Sequence, residues 1–240
     1  MMQVITGLRG FTFNGKHNND FKVVMQSKSI QSPSKKKVKD SVPFMNGSYD
    51  FSTIGSNGEI VYSERSITIS LGLPAETKEE LQVIYSKVHE WLVDVGKQKL
   101  IFDDMKDYYF IAEVEETTTF EQTKAFGKLD VKFTADPFKS SVDVIGANVW
   151  DTFNFEEDYL QDSSYDVSGS IDITMYNPGR TVRPVINCSL PMTMISQNGK
   201  SYNLTAGDNK PYGFYLNKGA NDLTVNGTGT INFIFRKESI

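Results

Sequence analysis

Two histidines, His17 and His89, and one cysteine, Cys188, are the side chains in this 240-residue sequence best suited to move protons or attack an electrophile. Both histidines lie in the first half and the cysteine in the second. A cysteine nucleophile needs a nearby base or cation to form thiolate. In Arg183-Pro184-Val185-Ile186-Asn187-Cys188 a period of two puts Ile186 and Cys188 on one face of a strand and Val185 on the other. Cys188 is therefore expected to be a small buried hydrophobe with an inert thiol. One cysteine also excludes an intrachain disulfide and a Cys-based zinc site. Glu156, Glu157, Asp158, Asp162 and Asp166 offer oxygen ligands of the kind calcium takes, but their spacing fits no EF-hand and lacks its central glycine. They read as a solvated acidic loop. His89 sits beside Val88 and Trp91 in a packing element, so it reads as structural or exposed.

Two further groups could serve sugar binding. Asn177-Pro178-Gly179-Arg180 reads first as a turn joining two strands. Trp150, Phe153, Phe155, Tyr159 and Tyr165 could stack on pyranose rings, but aromatics at this density read as core or protein–protein contact. There is no G-x-S-x-G elbow, no phosphate-binding G-x-x-x-x-G-K-[ST] loop and no H-E-x-x-H helix. Gly227-Thr228-Gly229 reads as a glycine turn between strands, because no helix follows it. No catalytic, cofactor-binding or metal-ligating set is expected, and the chain is not read as an enzyme.

Hydrophobic residues make up 39% and aromatics 12% of the chain, which excludes wholesale disorder. A net charge of −5 is not the basic footprint of a nucleic-acid binder. The opening MMQVITGLRG has no apolar stretch of signal-peptide length, and no run approaches the roughly 20 residues that span a bilayer. The expectation is a protein that binds neither nucleic acid nor membrane, folded in a reducing compartment.

The elements follow from periodicity. Ile67, Ile69 and Leu71; Leu129, Val131 and Phe133; Ile171, Ile173 and Met175; and Ile231, Phe233 and Phe235 each alternate with polar residues, the signature of half-buried, mostly antiparallel strands. Five Asn-Gly pairs, at Asn14, Asn46, Asn57, Asn198 and Asn226, suit type I′ hairpin turns. Leu81, Ile84, Tyr85, Val88, Trp91, Leu92 and Val95 form a helical stripe. Thr77 with Glu80 makes a capping box, and Gly96 can end the helix in a left-handed conformation, so one amphipathic helix is expected over about 77–95. Ser27–Pro43, with five lysines and two prolines, reads as a long exposed loop or as an arm that orders against another subunit. Pro137 and the small polar residues after it suggest a boundary, giving domain one at 1–138 and domain two at 139–240.

The order of these elements resembles a known family. Phe11-Thr12-Phe13-Asn14-Gly15-Lys16 is followed by a loop, then Gly47-Ser48-Tyr49-Asp50-Phe51-Ser52, Tyr62-Ser63-Glu64-Arg65-Ser66-Ile67 and a helix ending His89-Glu90-Trp91-Leu92. Leu100–Asp104, Tyr108–Val114 and Leu129–Phe138 complete the first half. In the second half Asn177-Pro178-Gly179 leads to Arg183-Pro184-Val185-Ile186, and Leu223–Gly227 leads to Ile231–Arg236 as a closing hairpin. This looks like the distal tail protein (Dit) family of long, non-contractile phage tails. The resemblance implies a mainly β chain with one helix: an N-terminal β-sandwich ring domain and an outward-facing, galectin-like C-terminal β-sandwich. It implies a homohexameric ring at the virion tail tip, assembled in the bacterial cytoplasm. The ring joins the tail tube protein to tail-tip, receptor-binding or baseplate proteins. The expected ring contact lies in Gly47–Tyr62, with Tyr49, Phe51, Ile54 and Tyr62 as interface residues. The alternative is a carbohydrate-binding module of two β-sandwiches.

Overall fold

The structure, a computed structural model, describes residues 10–56, 58–115, 119–146 and 161–240. The chain divides into two units, Met1–Lys139 with Ile240, and Ser140–Ser239.

The first unit runs β1 (Phe11–Phe13), β2 (Lys16–His17), β3 (Val24–Ile30), β4 (Lys39–Asp40), β5 (Tyr49–Asp50), β6 (Arg65–Pro74), α1 (Lys78–Val93), β7 (Gln98–Phe102), β8 (Tyr108–Glu113), β9 (Thr119–Thr123) and β10 (Phe126–Ala135). Its main sheet has the order β2-β1-β7-β8-β10-β6-β3, with β9 added to β10; β4 and β5 pair only with each other. The alternation expected of β6 and β10 is met. Leu129 lies opposite Leu71, Val131 opposite Ile69 and Phe133 opposite Ile67, so both apolar sets share one face. These residues are buried and α1 covers them with Leu81, Ile84, Val88, Trp91 and Leu92.

Trp91 is the anchor of that layer. Its ring stacks on Phe21 at 4.5 Å and on Phe11 at 5.5 Å between centroids, and its Nε1–H donates to the Phe13 carbonyl at 2.9 Å. The buried indole thus has both its apolar area and its one donor satisfied. The N-cap is as expected, with Thr77 Oγ1 accepting from the Glu80 amide at 3.1 Å. The reciprocal half of the box is displaced by one residue, because the Glu80 carboxylate accepts from the Glu76 amide at 2.8 Å. The expected stop at Gly96 is not used: the helix ends at Asp94 with φ −84°, and Gly96 is not left-handed.

Ser27–Pro43 is not a loop from its start. Val24–Ile30 pairs along β6, with a bulge between Met25 and Ser27. Only beyond Ile30 does the chain leave the sheet.

The second unit contains β12 (Ser164–Asn177), β13 (Val185–Cys188), β14 (Met192–Ser196), β15 (Ser201–Leu204), β16 (Gly207–Asn209) and β17 (Gly219–Ile234), preceded by the short β11 (Lys139–Ser141), which pairs with the closing β18 (Glu238–Ser239). The sheet order is β15-β14-β17-β13-β16, with β12 on the other side of β17. Every pairing described in either unit's sheet is antiparallel. The inward residues of β12 and β17, among them Ile173, Met175, Val225, Ile231 and Phe233, form a separate core with Ile186, Cys188, Met194 and Leu216.

β17 corrects two sequence expectations. Asn226-Gly227 is not a hairpin turn, and Gly227-Thr228-Gly229 does not separate two strands: a single strand runs through both. Gly227 (φ 153°) and Gly229 (φ 123°) instead allow close approach of the neighbouring chain. A Cβ at Gly227 would lie 2.9 Å from Met192 Cγ, and one at Gly229 would lie 2.4 Å from Ser189 Oγ. At Asn14-Gly15, by contrast, both residues have positive φ (48° and 72°) and join β1 to β2, as a type I′ turn requires.

Candidate subunit interface

Among the described residues, those singled out for chemistry do not converge. His17 Nδ1 accepts from the Asn19 amide at 3.2 Å, which leaves Nε2 as the donor facing Asp103 Oδ2 at 3.3 Å. The same Asp103 oxygen accepts from the Gly10 amide at 2.7 Å, and buried Asn18 bonds Phe11 and Val23. This network ties the first hairpin to the end of β7 and presents no nucleophile. His89 packs beside Tyr85 on the outer side of α1, 5.6 Å between rings, in a shallow groove completed by Ser86, Glu90, Val93 and Asp94. Cys188 is buried, and burial pushes its thiol pKa up, away from thiolate. No group of three or more His, Cys, Asp or Glu residues able to hold a metal occurs among the described residues.

Asn177-Pro178-Gly179-Arg180 is a buried turn. Asn177 is fully buried; its amide donates to Arg180 O at 2.6 Å and Leu216 O at 3.0 Å, and its oxygen accepts from the Gly179 amide. A Cβ at Gly179 would lie 2.7 Å from the Glu238 carbonyl oxygen. The Asn177 side chain is thus used to hold the turn and the unit together. Of the acidic and aromatic groups, Glu156, Glu157, Asp158, Trp150, Phe153, Phe155 and Tyr159 lie outside the described residues. Tyr165 donates to the Asp162 carbonyl at 2.7 Å, and burial raises its phenol pKa. Asp166 accepts from Thr230 at 3.1 Å. The same cross-strand exchange recurs at Thr224 to Asp172 and Thr174 to Asp222, both 2.7 Å. Those paired side chains of β12 and β17 satisfy one another along the exposed side of the sheet.

What does converge is apolar surface. Between β3 and β6 the chain projects as an arm. Its two limbs are held by Lys36 N to Val61 O, Phe51 N to Val38 O and Ser63 N to Ser34 O, all 2.8 Å, and by the β4–β5 pair. Lys37 Nζ lies 2.9 Å from Asp50 Oδ2, and the Ser52 amide donates to Asp50 Oδ1 at 2.9 Å. These bonds, Lys37 first, hold the Asp50 carboxyl well below the usual carboxylate range. At the arm's base Lys97 bridges Glu64 at 2.8 Å and Asp136 at 2.9 Å, which raises the Lys97 pKa and lowers that of Glu64.

Nine of the seventeen exposed large hydrophobic residues among the described ones fall in this arm: Val38, Val42, Phe44, Met45, Tyr49, Phe51, Ile54, Ile60 and Val61. Singly such residues are ordinary; concentrated on one projection they mark an interaction surface. Phe44 is fully exposed and has φ 68°, a left-handed conformation rarely adopted by a bulky side chain. Of the residues expected at the interface, Tyr49 and Phe51 stack at 6.1 Å on the arm and Ile54 is 75% exposed. Tyr62 differs: it is half-buried at the base, edge-on to Phe138 at 5.6 Å. Val42, Phe44 and Met45, exposed on the same arm, lie just before the segment Gly47–Tyr62 that the sequence singled out. Their available signal was the run Val42-Pro43-Phe44-Met45, apolar yet without strand or helix period.

Residues 17–135, nearly all of the first unit, match the phage tail protein RIFT-related domain family. No curated protein matches the sequence. Among solved structures, the Dit protein of phage SPP1, described as a paradigm of the hub adsorption apparatus in phages that infect Gram-positive bacteria, aligns with a TM-score of 0.68 at 14% identity, over 97% of this chain and 99% of that one. The match therefore spans both units with the same overall fold. Residues 17–135 of the first unit thus carry the phage tail protein RIFT-related domain, and the chain over nearly its whole length has the fold of a solved distal tail protein.

Proposed function

We propose that this chain is the hub of a tail tip. Copies close into a hexameric ring through one repeated heterologous contact, in which the arm of one copy lies on the first unit of the next. The ring joins the tail tube to tail-tip proteins, and the second unit is the adaptor toward receptor-binding or baseplate proteins. The observation that carries this reading is the arm, a projection bearing nine of the seventeen exposed large hydrophobic residues among the described ones. Its backbone bonds and ion pairs hold its shape, while its apolar side chains face outward and contribute nothing to the protomer's own core. Such a surface gains its burial energy only against a partner.

Chemical cross-linking of the full chain tests the arm directly. Wild type is expected to give a ladder ending at the hexamer. Phe44→Ser with Phe51→Ser, both at exposed positions, is expected to give protomer alone with an unchanged thermal melt. An unchanged ladder in the double variant would place the contact elsewhere.

A further inference from the structure

We infer that Asn46, at the tip of the arm, is the Asn-Gly site, among those that lie within the described residues, at which this chain undergoes spontaneous deamidation. Asparagine followed by glycine is the dipeptide most open to this chemistry, because no side chain shields the glycine nitrogen. Four Asn-Gly pairs lie wholly within the described residues, at Asn14, Asn46, Asn198 and Asn226, and the structure separates them.

The reaction needs the glycine backbone nitrogen free of hydrogen bonds and able to swing onto the asparagine side chain. The nitrogen, its proton lost to solvent base, attacks Cγ. An N–Cγ bond forms, the Cγ–Nδ2 bond breaks and ammonia leaves. Water then opens the cyclic imide at either carbonyl, giving aspartate or isoaspartate. No oxidant or reductant takes part.

Three of the four sites resist this. Asn226 is inside β17, opposite Ser170 on one side and Thr193 on the other. At Asn198 the Gly199 amide already donates to the Ser196 carbonyl at 2.8 Å, and the Asn198 side-chain oxygen is held by Ser196 Oγ at 2.6 Å and the Lys200 amide at 3.1 Å. Asn14 is confined to its two-residue turn by the Phe13–Lys16 pairing and by its own amide bond to Lys99 O. Asn46 differs on each count. It lies between β4 and β5, exposed, and neither Asn46 nor Gly47 makes a hydrogen bond. A Cβ at Gly47 would meet nothing within 4 Å, so the backbone has room to turn.

The consequence rests on the arm reading above. Deamidation places a new carboxylate beside Phe44, Met45 and Tyr49, and isoaspartate also adds a backbone methylene. Either change is unfavourable on an apolar surface that must be buried. An unassembled copy thus loses competence with time, while a copy whose arm is covered is protected.

Peptide mapping by mass spectrometry after incubating the full chain in mildly alkaline buffer tests the assignment. Asn46 is expected to convert roughly tenfold or more faster than Asn14, Asn198 or Asn226, a ratio equivalent to about 1.4 kcal/mol of local opening. Conversion at any of those three as fast as at Asn46, or none at Asn46, would overturn it. Asn46→Gln should remove the fast phase mapped to the Asn46 peptide and leave Asn14, Asn198 and Asn226 unchanged; conversion at any of those three that speeds up to the wild-type Asn46 rate in this variant contradicts the assignment. Repeating the mapping on assembled particles separates the two readings. Slower conversion at Asn46 there supports both, whereas equal conversion leaves Asn46 as the modified site and argues against burial of the arm.

Discussion

Trp91 shows how far a single residue can be read from its spacing. Its place in a 3.6-residue stripe with Leu81, Ile84, Val88 and Leu92 predicts burial, and the structure adds what spacing cannot supply. Its partners Phe11, Phe13 and Phe21 are some seventy or more residues away in sequence, as is the carbonyl that takes its N–H. Trp91→Ala is expected to cost about 3–5 kcal/mol in a urea melt of the full chain. Trp91→Phe should recover most of that, leaving a loss near ~1 kcal/mol for the unpaired Phe13 carbonyl. A loss under ~1 kcal/mol for the alanine variant would mean the indole is not part of the core. Cys188 was legible in the same way, since the alternation Val185-Ile186-Asn187-Cys188 is local and the observed burial follows it. Native Cys188 is expected to react with a thiol reagent far more slowly than the unfolded chain does. Equal rates would contradict its burial and raised pKa.

At the scale of elements, the readings that succeeded rest on patterns contained in one segment. Those that failed depend on distant chain. Asn226-Gly227 has the local chemistry of a turn, but β12 and β14 pair on both sides of it and Met192 fills the space a side chain would need. Gly227→Ala is accordingly expected to destabilise the second unit by about 1–3 kcal/mol, through positive φ and overlap with Met192. A change within ~0.5 kcal/mol would mean that strand can shift freely. The arm was half legible: its lysines and prolines excluded a core segment, yet nothing local told whether Val42, Phe44 and Met45 fold back or project. Its ionisable groups give it a pH signature. Asp50 has a lowered folded pKa, so its contribution to the arm is complete above 3.8, its ordinary value, and is lost as pH falls through the lower folded value. Glu64 behaves alike below 4.5. Protection factors of the arm amides, measured exchange against the intrinsic rate at each pH, should therefore fall below pH 3.8 in wild type, and be low already at neutral pH in Asp50→Asn. Arm amides that exchange identically in the two proteins at neutral pH would exclude a holding role for Asp50.

For the whole molecule, the likeness to a phage tail hub fold covers both units, while the family match covers the first. The two cores are separate clusters, one roofed by α1 and one wholly β. Several groups able to do chemistry bond within the fold: His17 with Asp103, Asn177 with Arg180 and Leu216, the aspartates of β12 and β17 with threonines. Among the described residues the arm carries the largest share of the exposed apolar side chains, a surface that the proposed ring contact would bury. The most direct test is the mass distribution of the purified full chain by light scattering, with particles imaged by electron microscopy, for wild type and for the Phe44→Ser, Phe51→Ser variant. The account predicts closed rings of six times the 27.0 kDa protomer for wild type, and folded single protomers for the variant. A wild-type chain that stays at 27.0 kDa at every concentration and shows no rings in tail particles, or a variant that still closes into rings, would contradict it.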